Sequence, residues 1–230
     1  MSDTPLQIAI DGPVASGKGE IAARLARKLK LLYIYTGAMY RALALACIEK
    51  GVSLKDESYI LALLEQIEIA MKEPDKQSNY PYCVLLDGKD VTERIIKPDT
   101  AQGASDVGTL VGVRRWMVVR QQELSRGKRV VMEGRDIALR VLPEAQLKIY
   151  LTASVEERAK RRWAQWQQKG VQKTYEETLA TMRERDAQDM NRAADPLRKV
   201  EDAWELDTTG MSADQVVSSI EEELKRRNLI

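Results

Sequence analysis

The stretch Gly12 to Lys18 reads GPVASGK and follows the apolar run Leu6, Ile8, Ala9, Ile10. Strand, glycine loop and helix in that order decide the fold, because GxxxxGK is the core of a phosphate-binding P-loop. Glycines let successive backbone N–H groups converge on an anion, and the helix that follows adds the positive end of its dipole. Gly12, Pro13, Val14, Ala15, Ser16, Gly17, Lys18, Gly19 and Glu20 are therefore the expected cradle of a nucleotide's phosphates, with Lys18 reaching the β and γ groups. The helix is read from Ile21, Leu25 and Leu29 on one face, interleaved with Arg24, Arg27, Lys28 and Lys30. Gly19 stands where the strict motif has a Ser or Thr hydroxyl for Mg²⁺, and a carboxylate, Glu20, comes next. Glu20 has two readings: a solvent-facing acid that the helix dipole favours, or a charge that repels a bound phosphate.

Composition narrows the rest. The 230 residues, 44% hydrophobic and without a low-complexity block, suffice for one large globular domain with a full core. With 36 basic against 35 acidic residues the net charge is +1, so neither nucleic acid nor an anionic membrane is expected as a bulk partner. No stretch approaches the roughly 18 apolar residues of a membrane span, and Met1 to Thr4 carry no sign of a signal peptide, so a cytoplasmic protein is expected. A monomer is expected as well. Cys47 and Cys83 lack CxxC spacing and read as small buried hydrophobes, not as a disulfide or zinc pair. The absence of histidine removes the usual general base and the commonest metal ligand. Phosphoryl transfer needs neither, because positioning and positive charge carry it.

Strand-length apolar runs occur at Gln7 to Asp11, Leu32 to Tyr35, Val130 to Glu133, Lys148 to Leu151 and Trp204 to Leu206, with helical patterns between them. Such alternation predicts a parallel sheet covered on both faces, with ligand at the carboxyl ends of its strands. From Glu73 to Thr100 the alternation breaks. Pro74 to Pro81 is loop-rich, and CVLLDGKDVT then reads as two short strands about an Asp87-Gly88 turn, an inserted antiparallel element expected to cover a substrate. The helical pattern of Ala38 to Lys50 leads into it.

Two later helices carry charge. Ser154 with Glu157 predicts a capping box, after which Arg158, Arg161 and Arg162 share a face. Thr174 with Glu177 predicts another, opening a helix that runs to RERDAQDMNR, where Arg185, Asp189 and Arg192 form one stripe. By itself that stripe reads first as a solvated salt-bridge ladder, the usual meaning of such charge patterning. Ser212 with Gln215 opens the last helix, whose Val216, Val217, Ile220 and Leu224 close the core.

Taken together, GPVASGKG, TGAMYRALAL, VLLDGKDVTERI, GASDVGTLVGVR, VVMEGRDIA, RERDAQDMNR and LDTTGMS resemble the bacterial-type cytidylate kinases over nearly the whole chain. The resemblance implies an α/β three-layer P-loop fold with a central parallel sheet, a small antiparallel and helical insert that binds the nucleoside monophosphate, and a short helical lid. It places a single domain on residues 1–230, with core segments near 1–36, 109–153 and 200–230, the insert near 37–108 and the lid near 154–199. It implies transfer of the γ-phosphoryl group of ATP to CMP or dCMP, with Mg²⁺ accompanying ATP. Thr36, Arg41, Ser105, Arg114, Arg135, Asp136, Arg185, Asp189 and Arg192 match the family's acceptor-binding positions: Arg41, Arg135 and Arg192 about the phosphates, Ser105, Arg114 and Asp136 at the cytosine edge, Arg185 and Asp189 at the sugar hydroxyls. Lys18, Arg135, Arg192, Arg158 and Arg161 are the implied catalytic cations, with Arg162 a third candidate from its helix. Glu133 matches a position that orients Mg²⁺ or its waters, and it also admits a purely structural reading.

Four departures stand out against the family pattern. Glu20 replaces a Thr, Tyr35 an Asp, Ala138-Leu139-Arg140 a Gly-Thr-Val-like run, and Asp195 a small residue before Pro196. Rival readings are a P-loop kinase for another small acceptor, such as UMP, AMP or shikimate, and a nucleotide-binding protein in which Glu20 impairs catalysis.

Overall fold

A computed structural model describes residues 5–168, 170–192 and 194–230. Five parallel strands, β1 (Gln7–Asp11), β2 (Leu32–Tyr35), β6 (Val130–Gly134), β7 (Leu147–Thr152) and β8 (Trp204–Asp207), form one sheet in the order β2-β6-β1-β7-β8. All five match the apolar runs of the sequence to within a residue at each end. A strand in the middle of a parallel sheet is covered on both faces, so its residues are apolar without strict alternation. β6 is buried throughout, and in β1 Ile8 and Ile10 pack on one face while Ala9 packs on the other with Ile34, Val130 and Met132.

Helices complete the layers. α1 (Lys18–Leu29) and α8 (Ala213–Arg226) lie against each other, with Leu25, Ile220 and Leu224 fully buried in the first core. Burying one such side chain contributes about 1.5–3 kcal/mol. On the other face, a π turn at Ile137–Val141 packs Ile137 and Val141 into the second core. It is held there by Asp11, whose carboxylate accepts from the backbone N–H groups of Ile137 and Ala138, both at 2.8 Å.

Between β2 and β6 the chain forms α2 (Thr36–Glu49), α3 (Glu57–Leu64), α4 (Pro98–Val107), α5 (Val111–Ser125) and a second, antiparallel sheet. That sheet has three strands, β3 (Ile69–Lys72), β4 (Cys83–Leu86) and β5 (Lys89–Asp90). The hairpin read at Asp87-Gly88 is present, with φ of 49° and 75° at the two residues, the left-handed pair that such a two-residue turn requires. β3 was outside the sequence expectation: Ile69 to Lys72 is only four residues long and shows no clean alternation.

α6 (Val155–Gln168) and α7 (Tyr175–Asn191) pair as a helical hairpin over the P-loop, and Val14 of the loop sits in a small core with Ala159 and Met182. The capping boxes at Thr174 and Ser212 form reciprocally as read. The one expected at Ser154 does not. Ser154 Oγ accepts from Glu157 N, but the Glu157 carboxylate is taken by Arg161 at 3.0 Å and the Ser154 N–H goes to Thr209. Among the described residues no helix is long and apolar enough to cross a membrane. The reading of Met1 to Thr4 lies outside them.

Candidate active site

The sheet register assembles the site. β1 pairs with β6 so that Asp11 lies beside Gly134, and β2 pairs with β6 so that Tyr35 lies beside Glu133. The P-loop, the start of α2 and the Glu133-Gly134-Arg135 turn therefore emerge side by side at the carboxyl ends of the strands. Gly12 is dictated by contact: a Cβ there would come within 2.0 Å of the Leu151 carbonyl oxygen. Gly17, at φ 92°, caps α1 without any side-chain hydrogen bond. This leaves the first-turn N–H groups of α1 for a ligand.

Lys18 is buried, and its Nζ donates to Pro13 O at 2.8 Å. Ser16 Oγ lies 3.5 Å from the same nitrogen. Burial, and then the neighbouring Arg135, pull the ammonium down to about 7, against the pull of Glu133, Asp189 and Asp11. Burial raises Asp11 to about 6 and pushes Glu133 upward. Glu133 Oε1 is 3.5 Å from the Tyr33 hydroxyl. A Cβ on Gly19 would touch the same two groups at 3.4 and 3.5 Å, so the missing side chain at 19 leaves room for the Glu133 carboxylate beside the loop.

One cleft runs from the P-loop along Arg161, Arg162, Thr208 and the Ser78 to Tyr82 segment. A second is lined by Arg41, Ser105, Arg114, Asp136, Arg185 and Asp189, together with Thr36 and Arg192. They meet at Tyr35, Glu133 and Arg135, which line both. Arg135 Nε donates to Asp189 Oδ2 at 2.6 Å. Burial works against the Asp189 carboxylate, but Arg135 outweighs it and holds the group below the usual carboxylate range. The α7 stripe is thus a site wall and not a solvated ladder. Arg114 Nη2 donates to Asp136 Oδ2 at 2.5 Å, and Arg192 Nη2 lies 3.6 Å from Asp136 Oδ1.

Other expected residues are engaged elsewhere. Thr36 Oγ1 donates to Glu133 O at 2.8 Å, so its hydroxyl ties α2 to β6. Arg41 Nη1 donates to Ile95 O. All three donor nitrogens of Arg158 are committed, to Ala153 O, Val14 O and Asp186, behind the P-loop and away from the cleft lining. Arg161 donates to Thr208 and Glu157. In Arg162 the buried Nε has no partner. Its guanidinium stacks over Trp166, which Lys173 covers at 4.8 Å.

Sequence reasoning passed over Asp11 and the tyrosines Tyr33, Tyr80 and Tyr82; the Tyr82 ring lies 5.3–6.3 Å from those of Tyr33, Tyr80 and the departure Tyr35. Asp11 was detectable as a carboxylate ending an apolar strand just before Gly12. The tyrosines were not, since Tyr80 and Tyr82 reach the cleft from the loop before β4. The departures are spread about the site: Glu20 pairs with Arg24 at 2.6 Å, Tyr35 stands at the junction of the clefts, and Arg140 pairs with Asp195.

The family model for cytidylate kinase matches residues 8–226. A cytidylate kinase of Caldicellulosiruptor bescii is 43% identical over 215 residues, covering 94% of this chain and 93% of that one. Cytidylate kinases of Bacillus velezensis and Bacillus licheniformis are 43% and 44% identical, covering 98% and 94% of this chain and 99% and 94% of theirs. A match that spans the P-loop, the second sheet and the α6–α7 hairpin alike means that the chain belongs to the cytidylate kinase family.

Proposed function

We propose that the protein transfers the γ-phosphoryl group of ATP to CMP or dCMP, giving CDP or dCDP and ADP. The observation that carries this reading is the meeting of two clefts, one on the P-loop and one on α2, α4 and α7, at a shared wall containing Arg135. A donor in the first and an acceptor in the second would present their phosphates to each other there.

A CMP phosphate oxygen is already an anion and attacks the γ-phosphorus, so no protein base is required. The new P–O bond forms as the bond to the β–γ bridging oxygen breaks, and that electron pair leaves with ADP. Lys18 on the donor side and Arg135 between the clefts neutralise charge that moves to the equatorial oxygens and the leaving group. Asp189 holds Arg135 in place for this, through the 2.6 Å bond. Arg41 and Arg192 flank the acceptor phosphate, where a guanidinium binds two oxygens at once. Arg161 and Arg162 reach the donor phosphates on closure of the α6–α7 hairpin, whereas Arg158 acts from behind by fixing the Val14 carbonyl and thereby the loop.

Base choice rests on Arg114, Asp136 and Ser105. Cytosine offers an exocyclic amine donor with a ring nitrogen and a carbonyl as acceptors, which suits a carboxylate beside a guanidinium. Uracil reverses two of those groups, and each mismatch leaves a buried polar group unpaired at about 1–3 kcal/mol.

Mg²⁺ bound with ATP takes most ligands from phosphates and water and needs one or two protein oxygens. The site fits that demand: no cluster of three acidic, cysteine or histidine ligands exists among the described residues, but Glu133 and Ser16 stand at the loop. Those two would hold the ion or its waters, and the ion would supply charge neutralisation on the transferring group.

The test is ADP formation from Mg·ATP with CMP, dCMP, UMP, AMP and GMP offered singly. Turnover mainly of CMP and dCMP is expected. Equal turnover of UMP would overturn the base-pocket roles, and no turnover of any of the five beside measurable ATP binding would overturn the activity.

A further inference from the structure

Asp195 lies in a bend between α7 and β8, directly before Pro196. Its φ is 48°, in the left-handed region where a non-glycine residue is strained. Its side chain is only 13% exposed and bridges two arginines from separate elements. One oxygen accepts from Arg140 Nε on the π turn. The other lies 3.7 Å from Arg114 Nε on α5, and that buried N–H has no hydrogen-bond partner of its own. The Asp195 carbonyl accepts from Arg192 Nε at 2.6 Å. One residue thus touches both arginines that contact Asp136, on the side facing away from the acceptor cleft. A strained backbone with both polar ends engaged is where side-chain contacts over-determine the conformation.

We propose that Asp195 is a positioning residue for acceptor selectivity, acting through Arg114 and secured by Arg140. The proposal rests on the reading of the second cleft as the CMP site. Arg114 donates forward to Asp136 through Nη2, at 2.5 Å, and through Nη1 to Gly108 O at 3.2 Å, which leaves its buried Nε edge as the one side without a hydrogen-bond partner. The Asp195 carboxylate sets a countercharge 3.7 Å from that edge, and Arg140 keeps the carboxylate from swinging out to solvent. Arg114 and Asp136 then present a fixed donor and acceptor pair to the base. Its companion Arg192 is held by the same residue's backbone, which a side-chain substitution leaves in place.

Asp195→Asn keeps the size and the tolerance of left-handed φ but removes the charge. Asp195→Gly removes the side chain and the strain together, which makes it a second, independent variant of the same position. We expect either change to raise KM for CMP about five- to tenfold and to narrow the preference for CMP over UMP by a similar factor, the scale of removing one countercharge from beside a buried guanidinium without breaking a hydrogen bond to it. KM for ATP should stay within about twofold, because Asp195 touches nothing in the donor cleft. Arg140→Gln should give the same pattern at about a third of the size, since it loosens Asp195 without removing it. The swap Arg140→Asp with Asp195→Arg restores the latch but sets a cation against Arg114, and should not rescue selectivity.

Asp195→Asn and Asp195→Gly with unchanged KM for CMP, an equal rise in KM for ATP, or full rescue by the swap would each overturn the proposal. Wild-type turnover of CMP beside any of these results overturns the role of Asp195 alone. Absence of CMP turnover in the wild type would overturn the acceptor reading, and the role of Asp195 with it.

Discussion

Replacing Glu20 by Thr removes the carboxylate two residues after Lys18, and should change little. The exposure of Glu20 and its pairing with Arg24 keep the effect small. Glu20 Oε1 accepts from Arg24 Nη2 at 2.6 Å, its side chain is 56% exposed, and Arg24 is bonded in turn to Asp214 at 2.6 Å. Two unit charges about 8 Å apart in water interact by ~0.5 kcal/mol. Ionic screening at physiological salt, with a Debye length of about 8 Å, cuts that to ~0.2 kcal/mol. For a Mg·ATP charge of about −2 the repulsion is ~0.4 kcal/mol, and the Arg24 guanidinium offsets part of it, so kcat/KM for ATP should move by no more than about twofold. The exposed pair with Arg24 contributes about 0.5 kcal/mol or less to stability, so Tm should fall by only about 1–2 °C. Steady-state kinetics at varied ATP with saturating CMP, beside a thermal melt, measures both. A tenfold or larger rise in kcat/KM, ~1.4 kcal/mol, would refute the reasoning and show that Glu20 does impair the site.

Other expectations follow from the same geometry. Asp189→Ala removes the 2.6 Å acceptor of Arg135, so kcat/KM for CMP should drop about ten- to a hundredfold, in line with the ~1.5–3 kcal/mol of a charged hydrogen bond; a change within about twofold would sink the role. Lys18 titrates near 7 without ligand, and bound phosphate favours its charged form. ATP binding at pH 8 should therefore take up protons, which calorimetry in buffers of differing ionisation heat reads directly, and the uptake should vanish near pH 6. The corresponding stability term has a definite sign: native Lys18 binds fewer protons than the unfolded chain between pH 7 and its ordinary 10.5, so its destabilising burial is relieved as pH rises through that window. Gly12→Ala would place a Cβ 2.0 Å from Leu151 O, a clash that should cost about 3 kcal/mol or more in denaturant unfolding; a loss under about 1 kcal/mol would contradict the loop geometry.

The order of elements was legible because each rests on local chemistry. Ile8 and Ile10 before Gly12 read as strand then loop, Thr174 with Glu177 as a helix start, and Asp87-Gly88 as a tight turn, since these signals span at most a few residues. The same kind of signal failed at Ser154, where Glu157 has a rival partner one turn ahead: Arg161 offers a full charge against a backbone N–H. It was silent for β3, whose four residues gain strand character only from pairing with β4.

For the candidate site the division runs along the same line. The sequence by itself determined which residues were candidates: Lys18 in its loop, and the arginines and Asp189 at helical spacing, in a chain without histidine. Only the tertiary structure decided which of them meet. The register of β2 and β1 on β6 brings Tyr35, Glu133 and Arg135 to one junction, and the packing of α6 turns Arg158 into a strut behind the P-loop while Arg162 lines the cleft. A helical period says which side chains share a face. What that face is pressed against depends on contacts between residues a hundred or more positions apart, and no local pattern encodes them.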